Sequence, residues 1–235
     1  MAQVGYISAE QTSSVNTTAT TYADVVSTGN LTPGVKYLLL CRATTGNSNV
    51  ATLHYTRMVD DAGSEFAGSE EVKEVPTTNT AVGTSYSYST VFTATTAAAV
   101  KIQQKATSGD TAKVYHASIL LLELSGGPMG TNHDWYHTSD ATSASHTTSL
   151  VDRASLTVTN TPSKSGNYLA IGFAQIAIGS ITESYEAQMA FTNVTAYKNT
   201  LMTQSFVSHI QEGEDTDETH CDVMVCPIHL PASGT

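Results

Sequence analysis

Three groups of residues have the types and spacing that site chemistry requires. His220, Cys221, Cys226 and His229 are zinc-type ligands close together in the chain. Cys221 and Cys226 stand an odd number of positions apart in a segment that reads as one strand, so their side chains point to opposite faces, roughly 16 Å apart at about 3.3 Å per residue. Ligands of one zinc ion all lie about 2.0–2.3 Å from it. Only a bulge would bring the thiols together, and they read as buried free thiols. Asp215-Thr216-Asp217 with Glu212, Glu214 and Glu218 gathers the oxygens calcium needs, but without the full ligand pattern of the helix–loop–helix site. A solvated hairpin tip is the plainer expectation for residues 212–218.

The third group is His133, Asp134, His137, Asp140 and His146, beside Trp135, the one tryptophan. Hydrolysis needs a nucleophile with a positioned base. The chain has no Gly-x-Ser-x-Gly elbow, no His-Glu-x-x-His and no glycine-rich phosphate cradle. These histidines therefore read as surface linker residues. Trp135 and Tyr136 suit an interdomain junction or a contact with another chain better than a sugar platform. No catalytic, cofactor-binding or metal-ligating residue is assigned, no cofactor is expected, and the chain is not expected to be an enzyme. Tyrosine dominates the aromatics, with eleven Tyr against five Phe. Tyr6, Tyr22, Tyr86 and Tyr88 fall in or near exposed-looking segments and suit a protein interface or a carbohydrate face, with core packing as the alternative.

The elements that must position these residues are strands. Pro33-Gly34 fixes a turn, and a strand follows over 35–43, whose Leu38-Leu39-Leu40 run signals burial on both faces. Residues 51–58 alternate, with Leu53 and Tyr55 on one side and His54 and Thr56 on the other. Residues 86–92 and 100–105 alternate too, and Ser108-Gly109-Asp110 turns the chain into a closing strand over 114–124. Residues 60–76 are acidic and turn-rich and read as a surface insertion. Short helical turns fit only 138–144 or 180–186.

The same strand program is written twice. Residues 34–43 are answered by 166–174, and the apolar strand 114–124 by 220–230. The second unit is the shorter, with strands over 154–158, 168–178, 185–192, 202–210 and 219–230. Gly126-Gly127-Pro128 marks the boundary. The expected fold is all-β: two tandem antiparallel β-sandwich, jelly-roll-like domains related by internal duplication. Residues 1–21 form an N-terminal extended arm or first edge strand, 22–125 the first β-sandwich, 126–134 a linker and 135–235 the second β-sandwich.

Composition narrows the partners. A net charge of −11 with only 10 Lys and Arg gives no cluster for phosphate, so no nucleic acid is expected, and no membrane attachment. Residues 1–8 lack the basic start and apolar run of a secretory signal, and three cysteines do not make a disulfide framework, so synthesis in a cytoplasm is expected. The sequons at Asn16, Asn30 and Asn193 are then incidental.

Asp24-Val25 before residues 31–40, then Val100-Lys101-Ile102-Gln103 and the closing run 112–124, resembles the jelly-roll modules of tailed-bacteriophage virion proteins, including head decoration or cement proteins and fibre-associated modules. The resemblance covers most of the first unit and, more loosely, the second. It implies a non-enzymatic virion component made in the host cytoplasm. Its expected partners are the major capsid protein or other virion proteins and itself, as a homo-oligomer, commonly a trimer in such proteins. It also implies that the arm at 8–21 and the linker around Trp135 are contact elements. The alternatives are a tail or head fibre module that binds host-surface glycan, or a carbohydrate-binding β-sandwich.

Overall fold

The computed structural model of the protein describes residues 5–47, 53–74 and 84–124 and, beyond them, 166–177, 185–189, 192–193, 200–201, 206–210 and 219–230. The described residues of the first half form nine strands: β1 (Tyr6–Gln11), β2 (Val15–Thr17), β3 (Ala23–Ser27), β4 (Lys36–Asn47), β5 (Leu53–Val59), β6 (Glu71–Glu74), β7 (Thr84–Thr93), β8 (Lys101–Ala106) and β9 (Ala112–Glu123). Their pairing is a nest of antiparallel partners. β5 pairs with β6, β4 with β7, β3 with β8, and β2 with β9, and successive pairs fall into alternate sheets. A ribbon wrapped this way gives two packed antiparallel sheets, sheet A in the order β1-β9-β4-β7 and sheet B in the order β3-β8-β5-β6, a jelly-roll-like sandwich.

Local chemistry sets the turns. Gly34 takes a positive φ of 83° after Pro33, and the Val35 N–H donates to the Thr32 carbonyl at 3.2 Å, closing the expected turn into β4. Gly109, with φ 85°, does the same between β8 and β9. Residues 8–21 hold parts of β1 and β2, which pair with β9 at one edge of sheet A. Residues 60–74 are more than the surface insertion expected of them: they supply β6 and bury Asp61, Ser69 and Glu71. Their acidic residues are accommodated because each finds donors. The Asp61 carboxylate accepts the backbone N–H groups of Thr95 and Thr96, and these bonds outweigh its burial and hold its pKa below the usual range.

The core is apolar where sheet A faces sheet B, through Tyr37, Leu39, Cys41, Ile119 and Leu121 against Val25, Val26, Met58, Val100 and Ile102. Beside it lies a polar zone. On β5 the inward side is His54-Thr56-Met58, while Leu53 and Tyr55 face outward, half-buried. Across the sheet Thr56 is flanked by Glu71 and Gln104, and His54 by Lys73. All of these side chains are buried.

In the second half, β10 (Gly166–Ala177) and β15 (Thr219–Leu230) pair antiparallel over their full length, as β4 and β9 do in the first. Two shorter pairs accompany them, β11 (Tyr185–Met189) with β14 (Phe206–Ile210) and β12 (Thr192–Asn193) with β13 (Thr200–Leu201). Tyr185 and Glu186, expected at the end of a helical turn, begin β11. The boundary at 126–134 and the strand expected at 154–158 lie outside the described residues. The β10–β15 ribbon lies along β7 and β6, the side of the sandwich away from β1. Cys221 enters the first core, 1% exposed, and Phe173 meets the Tyr88 ring edge-on at 4.5 Å between centroids. The Glu71 carboxylate links the two halves, reaching Lys73 Nζ at 3.1 Å through one oxygen and accepting the Cys221 N–H at 2.7 Å through the other.

Two outcomes follow. Glu71→Ala leaves the buried Lys73 ammonium without its counter-charge, and chemical denaturation should show a loss of about 3–5 kcal/mol. A loss below about 1 kcal/mol would mean the pair is solvated. Burial, with Lys73 nearby, pushes the His54 pKa down to about 4 against the pull of the Gly46 carbonyl and Asp110. The unfolded chain therefore takes up a proton at His54 near pH 6.5 that the folded chain refuses until about pH 4. Stability contributed by neutral His54 is full above pH 6.5 and falls across that window by roughly 3 kcal/mol. The denaturation midpoint of the natural chain should fall more steeply between pH 6.5 and 4 than that of His54→Gln; parallel curves would contradict the assignment.

Candidate interaction surface

Each sheet has an outer face, and the two differ in kind. On sheet B the outward residues of β5 and β8 form a polar mesh whose groups satisfy one another. Arg57 donates to Gln103 Oε1 from Nε at 3.1 Å and Nη2 at 2.9 Å, and pairs with Glu65 at 3.3 Å. Lys101 and the Gln103 amide both donate to Asp24, at 2.6 and 2.7 Å. Burial would raise the Asp24 pKa, but these two donors prevail and lower it. Two cations approach the Tyr22 ring, the Arg57 guanidinium 3.7 Å and the Lys105 ammonium 4.5 Å from its centroid, and Lys105 also sits 4.2 Å from the Tyr55 centroid. Burial and a hydrogen bond to the Glu70 carboxylate hold the Tyr22 hydroxyl well above its ordinary pKa.

Sheet A presents the opposite face. Its register stacks outward residues in rows across four strands. Tyr6, Leu122, Leu38 and Val91 make one row; Ser8, Leu120, Leu40 and Ser89 the next; Glu10, Ser118, Arg42 and Ser87 the third. The leucine run of β4 and the Ile119-Leu120-Leu121-Leu122 run of β9 are the cause. Leu39, Ile119 and Leu121 fill the core, while period two sends Leu38, Leu40, Leu120 and Leu122 to the outside, where they remain half-buried. The double-sided burial expected of Leu38-Leu39-Leu40 is thus met on the inner side only. Val223 and Val225 of β15 wall one side of a groove of about 540 Å³ over this face, with Ser8 and Glu10 at the other and Leu40, Arg42 and Leu120 between. Tyr6 and Val225 are 60% and 51% exposed, the two large apolar side chains most open to solvent among the described residues. Glu10 pairs with His116 at 2.8 Å, whereas the exposed Arg42 has no ion-pair partner among the described residues.

The residues singled out from the sequence take varied places. Tyr86 and Tyr88 are core residues, donating their hydroxyls to the Ser69 carbonyl at 2.9 Å and the Ala67 carbonyl at 3.2 Å, and burial raises both pKa values, Tyr88 to about 12. Cys221 opposes Gln175 and Cys226 opposes Ala170 with no register shift between them, so β15 holds no bulge to unite them. Cys221 is a buried free thiol, as is Cys41. No group of three or more metal-ligating side chains occurs among the described residues. His133, Asp134, Trp135, Tyr136, His137, Asp140, His146 and the acidic loop from Glu212 to Glu218 lie outside the described residues. Leu38, Leu40, Leu120, Arg42 and Glu10 were not legible as a site. Their signal was an apolar run asking for two covers in a fold that provides one.

No protein-family model matches the chain, and no curated protein does. Among solved structures, one described as the structure of Eiger TNF from S. frugiperda is similar over 51% of this chain and 93% of its own, at 12% identity and a TM-score of 0.36. Another, described as CBM4 structure and function, is similar over 51% of this chain and 95% of its own, at 14% identity and a TM-score of 0.27. At such scores neither likeness bears on function.

The two sides of β4 should respond differently to truncation. Leu39→Ala opens the core and should cost about 2–5 kcal/mol, whereas Leu40→Ala on the outer face should cost about 1 kcal/mol or less. Equal losses, measured by urea denaturation at low protein concentration, would mean that the outer face is already covered within one chain.

Proposed function

We propose that this chain is a non-enzymatic virion structural protein that decorates and stabilises a bacteriophage head, contacting the major capsid protein or its neighbours and further copies of itself. It is made in the host cytoplasm and resides in the virion. In this reading the second half is a second, trimmed jelly-roll-like sandwich derived by duplication, with β10 and β15 repeating β4 and β9. The observation that supports adhesion is the outer side of sheet A, an apolar face with an arginine that has no ion-pair partner among the described residues, in a chain of low charge density. Such a face is covered at little desolvation cost by another protein, and arginine is among the residues enriched at interface centres.

A second reading, a module that binds host glycan or another carbohydrate, draws on the outer side of sheet B. There Tyr22 and Tyr55 are half-buried beside Arg57, Lys105 and Gln103, a combination of ring faces and polar groups that suits a sugar. Arg57, Gln103, Lys101 and Asp24 of that mesh already hydrogen-bond one another, which favours the first reading.

The experiment mixes the purified chain with phage heads assembled without it and, in parallel, with a glycan array. Saturable co-sedimentation with heads, and heads that withstand higher temperature once loaded, are expected. Binding to glycans that is lost in Tyr55→Ala, with no binding to heads, would replace the first reading by the second.

A further inference from the structure

We infer that two copies of this chain pair face to face through the outer side of sheet A, about a two-fold axis running along β9. The inference deepens the adhesion reading by naming the self-contact it requires. It starts from the third row of that face, in which Glu10 on β1 and Arg42 on β4 flank Ser118 on β9. Adjacent strands lie about 4.8 Å apart, so the two charges stand at equal distances on either side of β9. Rotation by half a turn about an axis parallel to β9, midway between two stacked sheets, exchanges the β1 and β4 sides and keeps the height along the strand. Glu10 of each copy then faces Arg42 of the other, twice by symmetry, as a self-complementary interface requires.

The same rotation works for the remaining rows. Leu120 meets Leu120 of the second copy, Leu122 meets its counterpart, and Leu38 and Leu40 lie opposite Tyr6 and Ser8 of the other chain. An axis running across the strands instead would invert the rows and set Glu10 against the apolar row of Tyr6, so charge selects the first arrangement. Arg42, without an ion-pair partner among the described residues, gains one, while Glu10 keeps its contact with His116 and accepts the guanidinium as well. The groove is consistent with this. Opposite β4 the rotation places the β1 edge of the second copy, beside Val223 and Val225, where Val225 is 51% exposed. With the axis on β9 the overlap is β1, β9 and β4, three rows over three strands, about 14 by 20 Å or ~290 Å² in projection. A stable interface buries about 800 Å² per partner. These rows, serines included, are the centre of such an interface, and β7 with the β15 wall of each copy, flanking the β1 edge of the other, supplies the rest.

Sedimentation equilibrium of the full chain tests the proposal. A dimer is expected at micromolar concentration. Arg42→Glu and Glu10→Arg should each weaken it at least about tenfold, and the double exchange should restore most of the loss, because the pair is rebuilt across the axis. Leu120→Asp should yield a monomer whose unfolding midpoint matches that of the diluted natural protein. A chain that remains monomeric at about 100 µM, a trimer, or a double exchange no better than its parts would overturn the two-fold pairing. Head binding distinguishes this from the broader reading: heads that bind a strictly monomeric chain would remove the pairing and leave decoration standing.

Discussion

The carboxylate of Glu71 is the constraint on which the arrangement of the two halves depends. On β6 it lies 1% exposed, and its two oxygens serve one partner near in the chain, Lys73 of the same strand, and one far away, the Cys221 N–H 150 positions on. A buried ion pair adds little net stability over an apolar substitute, but leaving one of its charges without a partner is costly. Its effect here is to fix position. β15 must present the Cys221 amide to Glu71 if that carboxylate is to be satisfied, and Cys221 and Phe173 then fall against Tyr88 and complete the first core. Ser87 donating to the Cys221 carbonyl at 2.9 Å and Thr219 accepting the Val72 N–H at 3.0 Å hold the same register. The β6–β7 side of the sandwich is thereby covered by the chain's own second half.

Much of this architecture was legible in the sequence. Turn chemistry at Pro33-Gly34 and Ser108-Gly109-Asp110 and the period-two runs located β4, β5, β7, β8 and β9 to within a few residues, because these signals are local. What periodicity does not carry is which side of a strand faces inward. On β5 the polar set His54 and Thr56 goes to the core, since β6 and β8 bring Glu71, Lys73 and Gln104 to meet it. β6 itself was missed because a four-residue strand in an acidic, glycine-containing segment has no period to read. The surface of sheet A was hidden for a related reason: its leucines resemble core residues, and only the number of layers in the fold shows that half of them are left outside.

The contrast between the two sheets gives the sandwich a direction. Sheet B ends in cross-linked charges and rings, with Asp24, Lys101, Gln103, Arg57 and Tyr22 each engaged. Sheet A ends in leucines and an arginine. Contact with another molecule is therefore favoured on the sheet A side, and a second copy seated there leaves the polar sheet B of both chains facing outward.

The nesting of β2 to β9 also dictates when the protein can take shape during synthesis. β9 lies between β1 and β4, so sheet A has no centre until residue 123 has left the ribosome, and Glu10 must wait for His116, 106 positions later. Loop closure on that scale makes for slow, late folding. Until then the leucines of β4 lack the β9 row that completes their sheet, which leaves the nascent chain open to misassociation.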